Sequence, residues 1–367
     1  MKRENNIWKT LALGQSIWCD FLSRDLLRSG KLAEMISSGV RGVTTNPSIF
    51  ENAIGKTSDY DDQIRVLVRE GKTKEEIYEN LTSGDVKEAA GLLEPLYKES
   101  GGSDGFVSLE VSPLLADDAQ GTVEEAKKLV RLIGRPNLMI KIPATDAGIN
   151  AVRRCTAEGI NVNVTLIFSG KQYRDSAEAY IAGLEERAAE GRDVSMVASV
   201  ASLFVSRLDT AVDKILEDRA PGSPLCGRIA VDNARAAYLD FEKFFSGPRW
   251  EILVEKGARV QRPLWASTGT KNPAYSPTLY VDSLIGPHTV NTIPPATLEI
   301  FLEKGLPALT AASDREGIEV RLRELESVGV SLDKVTEKLL EEGLAAFDKA
   351  YLSLLGAIDA KGRLLAG

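Results

Sequence analysis

FVSLEV at Phe106–Val111, LMIKI at Leu138–Ile142 and NVNVTLIF at Asn161–Phe168 are short, apolar and rich in β-branched residues. Segments with helical signals separate them, so this part of the chain reads strand, helix, strand, helix, strand. The same alternation extends outward. Upstream lie Ser16–Asp20 (SIWCD), a helical periodicity over Arg24–Ser38, and Gly42–Thr45 (GVTT). Downstream lie Ser195–Val200 (SMVASV) and the weaker strand candidates Pro263–Ala266 (PLWA) and Thr289–Thr292 (TVNT). Eight strands alternating with helices predict a parallel sheet closed into a (β/α)8 barrel, an α/β fold of the TIM type. An open doubly wound sheet is the alternative. The G-x-G-x-x-G fingerprint of a dinucleotide fold is missing after the first strand.

Helix signals punctuate the pattern. TVEE (Thr122–Glu125) and SGKQ (Ser169–Gln172) match capping boxes, and Pro294–Pro295 suit the first turn of a helix ending near Gly305. About 60 residues separate the second and third strands, more than a crossover needs. They read as extra helices, including Ile77–Leu81 and Val86–Tyr97, inserted over about 55–104. A helical extension over about 313–367 follows the eighth strand, its longest helix near Leu332–Ala360. With no linker or low-complexity stretch, residues 1–367 read as one barrel domain carrying these additions.

Composition limits the function classes. The 367 residues carry a net charge of -8 and no basic block, which argues against nucleic-acid binding. No apolar run approaches about 18 residues, and the N-terminus lacks an apolar signal core, so a cytoplasmic protein without a membrane partner is expected. Cys19, Cys155 and Cys226 are widely spaced and odd in number, as free thiols in a reducing compartment would be. Cys19 reads as an inert core thiol, and Trp18 and Trp265 as barrel packing. The single histidine, His288, leaves little for a histidine-based metal site and receives no role.

A barrel interior is apolar, and active sites gather at the C-terminal ends of its strands. Polar residues there are the informative ones. Asp20 ends the first strand; Thr44, Thr45 and Asn46 end the second; Glu110 lies in the third. Lys141 is flanked by Ile140 and Ile142, and Asn161, Asn163 and Thr165 alternate along the fifth strand. An ammonium in an apolar strand is disfavoured by desolvation, which favours the nucleophilic neutral amine and hence Schiff-base chemistry. A lysine pointing outward and snorkelling to water is the other reading. Asp20 and Glu110 could supply the proton transfers such chemistry needs, or be solvated loop carboxylates. Asn46, Asn163, Thr165 and Ser202 suit sugar hydroxyls, or turns and caps. Arg207, five residues after Ser202 on the next helix, could bind phosphate or pair with Asp209 or Glu217. Lys271, in the loop STGTKNP (Ser267–Pro273), is a second candidate cation.

Four of these segments together resemble the transaldolase family: GVTTNPSIF (Gly42–Phe50), LMIKIPA (Leu138–Ala144), NVNVTLIFS (Asn161–Ser169) and SLFVSR (Ser202–Arg207). The resemblance runs from Ile17 into the C-terminal helices. Trp265–Pro295 and the chain length are most similar to the longer bacterial subfamily, also found fused to glucose-6-phosphate isomerase. The resemblance implies a cofactor-free, metal-free enzyme that moves a dihydroxyacetone unit from sedoheptulose 7-phosphate to glyceraldehyde 3-phosphate in the pentose phosphate pathway. Lys141 would then form the Schiff base and Asp20 act as acid/base. Glu110 and Thr165 would hold a relay water. Asn46, Asn163 and Ser202 would bind hydroxyls, with Phe204 and Arg207 at the phosphate. Leu203 and Ser206 stand where relatives often have Pro and Gly. Thr-Gly-Thr follows Ser267 where shorter members have Phe-Arg-Asn, which leaves Lys271 as the stand-in cation. An aldolase of the same superfamily that releases dihydroxyacetone, and a non-catalytic sugar-phosphate-binding barrel, remain alternatives. Sugar phosphates are the expected partners, and a homodimer is left open.

Overall fold

A computed structural model describes residues 4–366. Eight parallel strands close into a barrel in chain order: β1 (Gln15–Cys19), β2 (Gly42–Thr44), β3 (Phe106–Glu110), β4 (Leu138–Pro143), β5 (Val162–Ile167), β6 (Ser199–Phe204), β7 (Gln261–Ala266) and β8 (Thr289–Ile293). β1 pairs with both β2 and β8, which completes the closure and leaves no edge. The (β/α)8 architecture expected from the alternation is therefore the observed one.

Side chains alternate in and out along each strand. Trp18 and Trp265, both with no exposed surface, pack as expected. The Trp18 ring lies against β2 where only a glycine leaves room: a Cβ on Gly42 would sit 2.6 Å from the indole. At the N-terminal end of the barrel, Arg262 donates to Ser16 Oγ (2.7 Å), the Thr289 carbonyl (2.7 Å) and Asp104 (3.1 Å), joining four strands' ends and loops. The register at the opposite end positions the chemistry. Glu110 on β3 is level with Lys141 on β4, and Lys141 is level with Asn163 on β5.

Several sequence-based boundaries need correction. The sixth strand is Ser199–Phe204, displaced from Ser195–Val200. Asp193 accepts from Ser195 N (2.9 Å) and Val197 N bonds to the Val194 carbonyl, so the first residues of SMVASV form a turn. Arg24–Ser38 is two helices, Arg24–Arg28 and Lys31–Ser37, because Gly30 takes a left-handed φ of 80° between them. TVEE is not a capping box. Asp118 caps the helix Ala119–Ile133 one turn earlier, while Thr122 donates to the Leu115 carbonyl and Glu125 accepts from Ser112 N. SGKQ does form its box, with Ser169 and Gln172 each accepting from the other's backbone.

The insertion contains the helices Asp61–Arg69 and Lys74–Glu99, the latter continuous through both segments read separately. After the helix Arg315–Ser327 comes a C-terminal helix, Leu332–Ala366. Its apolar stripe, including Phe347, Leu354 and Ile358, is buried. Ser353 and Lys361 bind Glu51 and Asp61 near the insertion, so the helix is carried across the C-terminal mouth of the barrel. Among the described residues no helix is long and apolar enough to cross a membrane.

Candidate active site

The strand ends converge on a cavity of about 160 Å3 at the C-terminal mouth. Eight of the ten residues given a role from the sequence line it, Asp20, Asn46, Lys141, Thr165, Ser202, Phe204, Arg207 and Lys271, and so does Ser267, the expected substrate-site residue at the end of the seventh strand. Glu110 and Asn163 do not. Glu110 stands in the wall behind Lys141. Asn163 has no exposed surface and spends its amide inside the barrel, donating to Ser108 Oγ (3.1 Å) and accepting from Ser202 Oγ (2.6 Å).

Lys141 points inward, which excludes the outward snorkelling alternative. It is only 5% exposed; its Nζ donates to the Thr45 carbonyl (3.2 Å) and lies 3.5 Å from Glu110 Oε2. The Phe347 ring of the C-terminal helix faces the same nitrogen at 5.7 Å. Burial pushes the Glu110 carboxyl from its ordinary 4.5 up to about 7, against the pull of the Lys141 charge. Asp20 follows β1, its backbone N–H bonded to the Ile293 carbonyl (3.0 Å), and Thr44 donates to its Oδ1 (2.8 Å). Burial raises Asp20 as well, opposed by Lys141, the Thr44 hydroxyl and Lys271. Two carboxyls held above their usual range beside one amine can take and return protons, Glu110 near neutral pH.

Thr165 places a buried hydroxyl with no protein partner in the cavity. It lies within the irregular register between Val164 and Ile167, where the next residue, Leu166, adopts a left-handed φ of 57°. A bulge beside a site re-aims the side chains around it. Ser267 is also left-handed (φ 55°) and is tied to Ser206 through both hydroxyls and a backbone bond, fixing the end of β7 to the helix Ser206–Arg219. Asn46 caps the short helix Pro47–Phe50 through Oδ1, leaving its amide N–H groups for the cavity it lines.

Among the described residues neither candidate cation forms an ion pair, although Glu342 acts on Arg207 and Lys271 acts on Asp20 at longer range. Arg207 pairs with neither Asp209 nor Glu217; its guanidinium lies 5.6 Å from the Phe204 ring, and among the described residues it has no ion pair. Asp209 is instead buried, accepting from Ala230 N (2.8 Å) and Tyr280 Oη (2.9 Å). Among the described residues Lys271 likewise makes no ion pair, and it lines the same mouth. An arginine at a helix N-terminus and a lysine without an ion pair on the same opening make an anion-accepting arrangement. Cys19 is an inert thiol as expected, buried and pushed up to about 12 by desolvation.

Sequence reasoning missed Thr44 as the partner of Asp20, the Thr45 carbonyl as the acceptor for Lys141, and Phe347 altogether. Thr44 and Thr45 carried a signal, since they were polar strand-end residues. Phe347 carried only the periodicity that buries it. Among the described residues no three His, Cys, Asp or Glu side chains cluster so as to hold a metal ion.

Fold and site together define an α/β barrel with an inward lysine between two carboxyls, beneath a cationic rim. The chain belongs to the transaldolase/fructose-6-phosphate aldolase family, whose model matches residues 17–358. It is similar to the transaldolase of Neisseria meningitidis serogroup A, 46% identical over 347 residues, covering 95% of this chain and 97% of that one. A transaldolase of Saccharopolyspora erythraea is 45% identical over 363 residues, with 98% of each chain covered. One of Trichodesmium erythraeum is 42% identical over 374 residues, again with 98% of each covered.

Proposed function

We propose that this protein is a transaldolase that moves a dihydroxyacetone unit from sedoheptulose 7-phosphate to glyceraldehyde 3-phosphate through a Schiff base on Lys141. One observation carries the reading: Lys141 Nζ opens into the mouth cavity while Glu110 stands 3.5 Å behind it. Neutral Lys141 adds to the ketone to give a carbinolamine. Protonated Glu110 donates to the departing hydroxyl, so water leaves and an iminium faces a carboxylate. Charge is conserved within the pair, so this step needs no outside proton. Asp20 then takes the C4 hydroxyl proton, the C3–C4 bond breaks, and its electrons form the enamine as erythrose 4-phosphate leaves.

The unpartnered Thr165 hydroxyl suits a water shared with Glu110. Asn46 and Ser202 are placed to meet hydroxyls of the retained unit. Asn163 acts through Ser202, holding its orientation from below. Arg207 and Lys271 would receive the phosphate. The acceptor aldehyde, held beside the enamine, reverses the sequence and gives fructose 6-phosphate. Retention of the enamine until then requires poorly placed water, which suits the cover supplied by Phe347.

The family description covers transfer and aldol release alike. Relatives named transaldolase at 42–47% identity favour transfer. The cytoplasm is the compartment we assign, in keeping with three free cysteines. Borohydride reduction in the presence of fructose 6-phosphate, followed by peptide mapping, tests the lysine: label is expected on Lys141, and label elsewhere or none removes the assignment. Free dihydroxyacetone exceeding transfer product when acceptor is present would instead favour the aldolase.

A further inference from the structure

Glu110 has two sides. One faces Lys141. The other lines a second cavity, of about 200 Å3, between β3 and the helices Lys74–Glu99 and Ala119–Ile133. Tyr78 and Thr82 come to it from the first helix, Glu125 from the second, and Tyr351 from the C-terminal helix. The two tyrosine rings meet edge to face at 5.1 Å. Glu110 Oε2 faces Lys141 at 3.5 Å, while the residue, 7% exposed, also lines this second cavity, so it stands between the amine and that space.

The cavities differ in sign. Basic side chains dominate the mouth, where Arg207, Lys271 and the Lys141 amine share one carboxyl group, that of Asp20. Five glutamates, Glu75, Glu76, Glu79, Glu110 and Glu125, line the side cavity with Lys128; Lys128 pairs with Glu79, and Lys72 and Lys74 pair with Glu76 and Glu75, which leaves the carboxyls of Glu110 and Glu125 on the inner wall with no cation of the cavity lining paired to them. A phosphate dianion is drawn to the first and repelled from the second, whereas neutral water enters either. The side cavity has room for several waters, and its polar lining offers them partners.

The proposed reaction makes this matter. Dehydration of the carbinolamine expels one water at the carbon bonded to Lys141, next to Glu110. By then the ketose occupies the 160 Å3 mouth beneath Phe347, with its phosphate at Arg207. We infer that the side cavity is the water port of the Schiff-base step: water expelled on imine formation, and water consumed on hydrolysis, passes Glu110 into this acidic space and not through the occupied mouth. The port rests on the Schiff-base reading above and adds a route to it. Glu125 is its outer gatepost. Its Oε2 accepts from Ser112 N (2.8 Å), and burial raises its carboxyl above the usual range, with Glu79 adding to the shift and Lys128 opposing it.

The test follows oxygen. Each cycle of imine formation and hydrolysis replaces the ketone oxygen of fructose 6-phosphate by solvent oxygen. Full-length enzyme is given substrate labelled with 18O at the ketone and no acceptor, and label loss is timed. Thr82→Leu fills the cavity, and Thr82→Val, nearly isosteric with threonine, controls for the lost hydroxyl. Glu125→Phe plugs the half-exposed side and serves where Thr82→Leu fails to fold. Label loss should slow by roughly tenfold or more in the plugged variants, with donor KM unchanged and Thr82→Val close to wild type. Plugged, folded variants that lose label at the wild-type rate overturn the port. Wild-type enzyme that neither loses label nor is trapped on Lys141 removes the underlying Schiff-base reading instead, so the two failures are told apart.

Discussion

Lys141→Ala deletes the amine that stands between Glu110 and the Thr45 carbonyl. Transfer should fall by roughly 10^3-fold or more, as when other covalent nucleophiles are removed. The lost side chain borders an existing cavity, so the circular dichroism spectrum should stay that of the wild type. Residual transfer near the wild-type rate would exclude the Schiff base. Glu110 permits a sharper test, because its carboxyl is held at about 7. As pH rises through that value, Glu110 loses the proton needed to expel hydroxide from the carbinolamine, so imine formation should slow. Glu110→Gln should be slow throughout and lack this inflection; stopped-flow trapping across pH 5.5–8.5, a range spanning about 1.5 units on either side, checks it. An inflection that survives the substitution belongs to another group. Asp20, Glu110 and Lys141 were legible in the sequence because a charged residue in an apolar strand is costly and invites a reason. Asn163 was legible as one of an alternating polar set suited to sugar hydroxyls, not as the residue that holds Ser202. Its engagement by Ser108 and Ser202 depends on the register of three strands, which no local pattern carries.

At the scale of elements, the helix Ser206–Arg219 and the C-terminal helix bound the mouth from two sides. Arg207, in the first turn of the former, makes no ion pair among the described residues, with only the exposed Glu342 acting on it at longer range, so its removal should weaken substrate binding without exposing a buried partner charge. A charge-assisted contact is worth about 1.5–3 kcal/mol, so Arg207→Ala should raise KM for fructose 6-phosphate by roughly 10- to 100-fold. KM for unphosphorylated dihydroxyacetone should barely move, and equal effects on both would rule out a phosphate contact. Phe347, on the C-terminal helix, covers the same mouth above Lys141. Phe347→Ala should admit water to the enamine and raise the share of free dihydroxyacetone relative to transfer, measured by product ratio at fixed acceptor; an unchanged ratio means the ring does not shield the intermediate. The alternation of strands and helices was plain from periodicity because each period is local. Boundaries failed where a side chain from outside the pattern decided them. Asp193 turned the start of SMVASV, and Asp118 claimed a helix start that Thr122 imitated. Leu340, Leu344 and Phe347 share a helical face, and that spacing says the face is buried but not that it closes a catalytic mouth.

Over the whole molecule, one contiguous core runs from Ile7 to Ile358, so the N-terminal helix, barrel, insertion and C-terminal helix share their packing. Closure in chain order follows from the alternation and the rule for parallel crossovers, which is why topology was easier to read than the contacts of the added helices. Buried acids then link global stability to pH. Asp209, beneath the loop that carries Lys271, accepts from Ala230 N and Tyr280 Oη, and desolvation pushes its carboxyl from 3.8 to about 7. Between those values the native protein holds a proton that the unfolded chain has released, so this group's contribution to stability falls as pH rises through the window and levels off above about 7. Asp209→Asn keeps the shape, an acceptor for Ala230 and a polar partner for the tyrosine, but binds no proton. The difference in thermal midpoint between the variant and the wild type should therefore move in the variant's favour from pH 4 to pH 7, the limits set by those two pKa values. Scanning calorimetry at half-unit steps reads this directly. A difference that stays flat, or moves toward the wild type, would mean that Asp209 is ionised in the folded protein and that its two donors outweigh its burial.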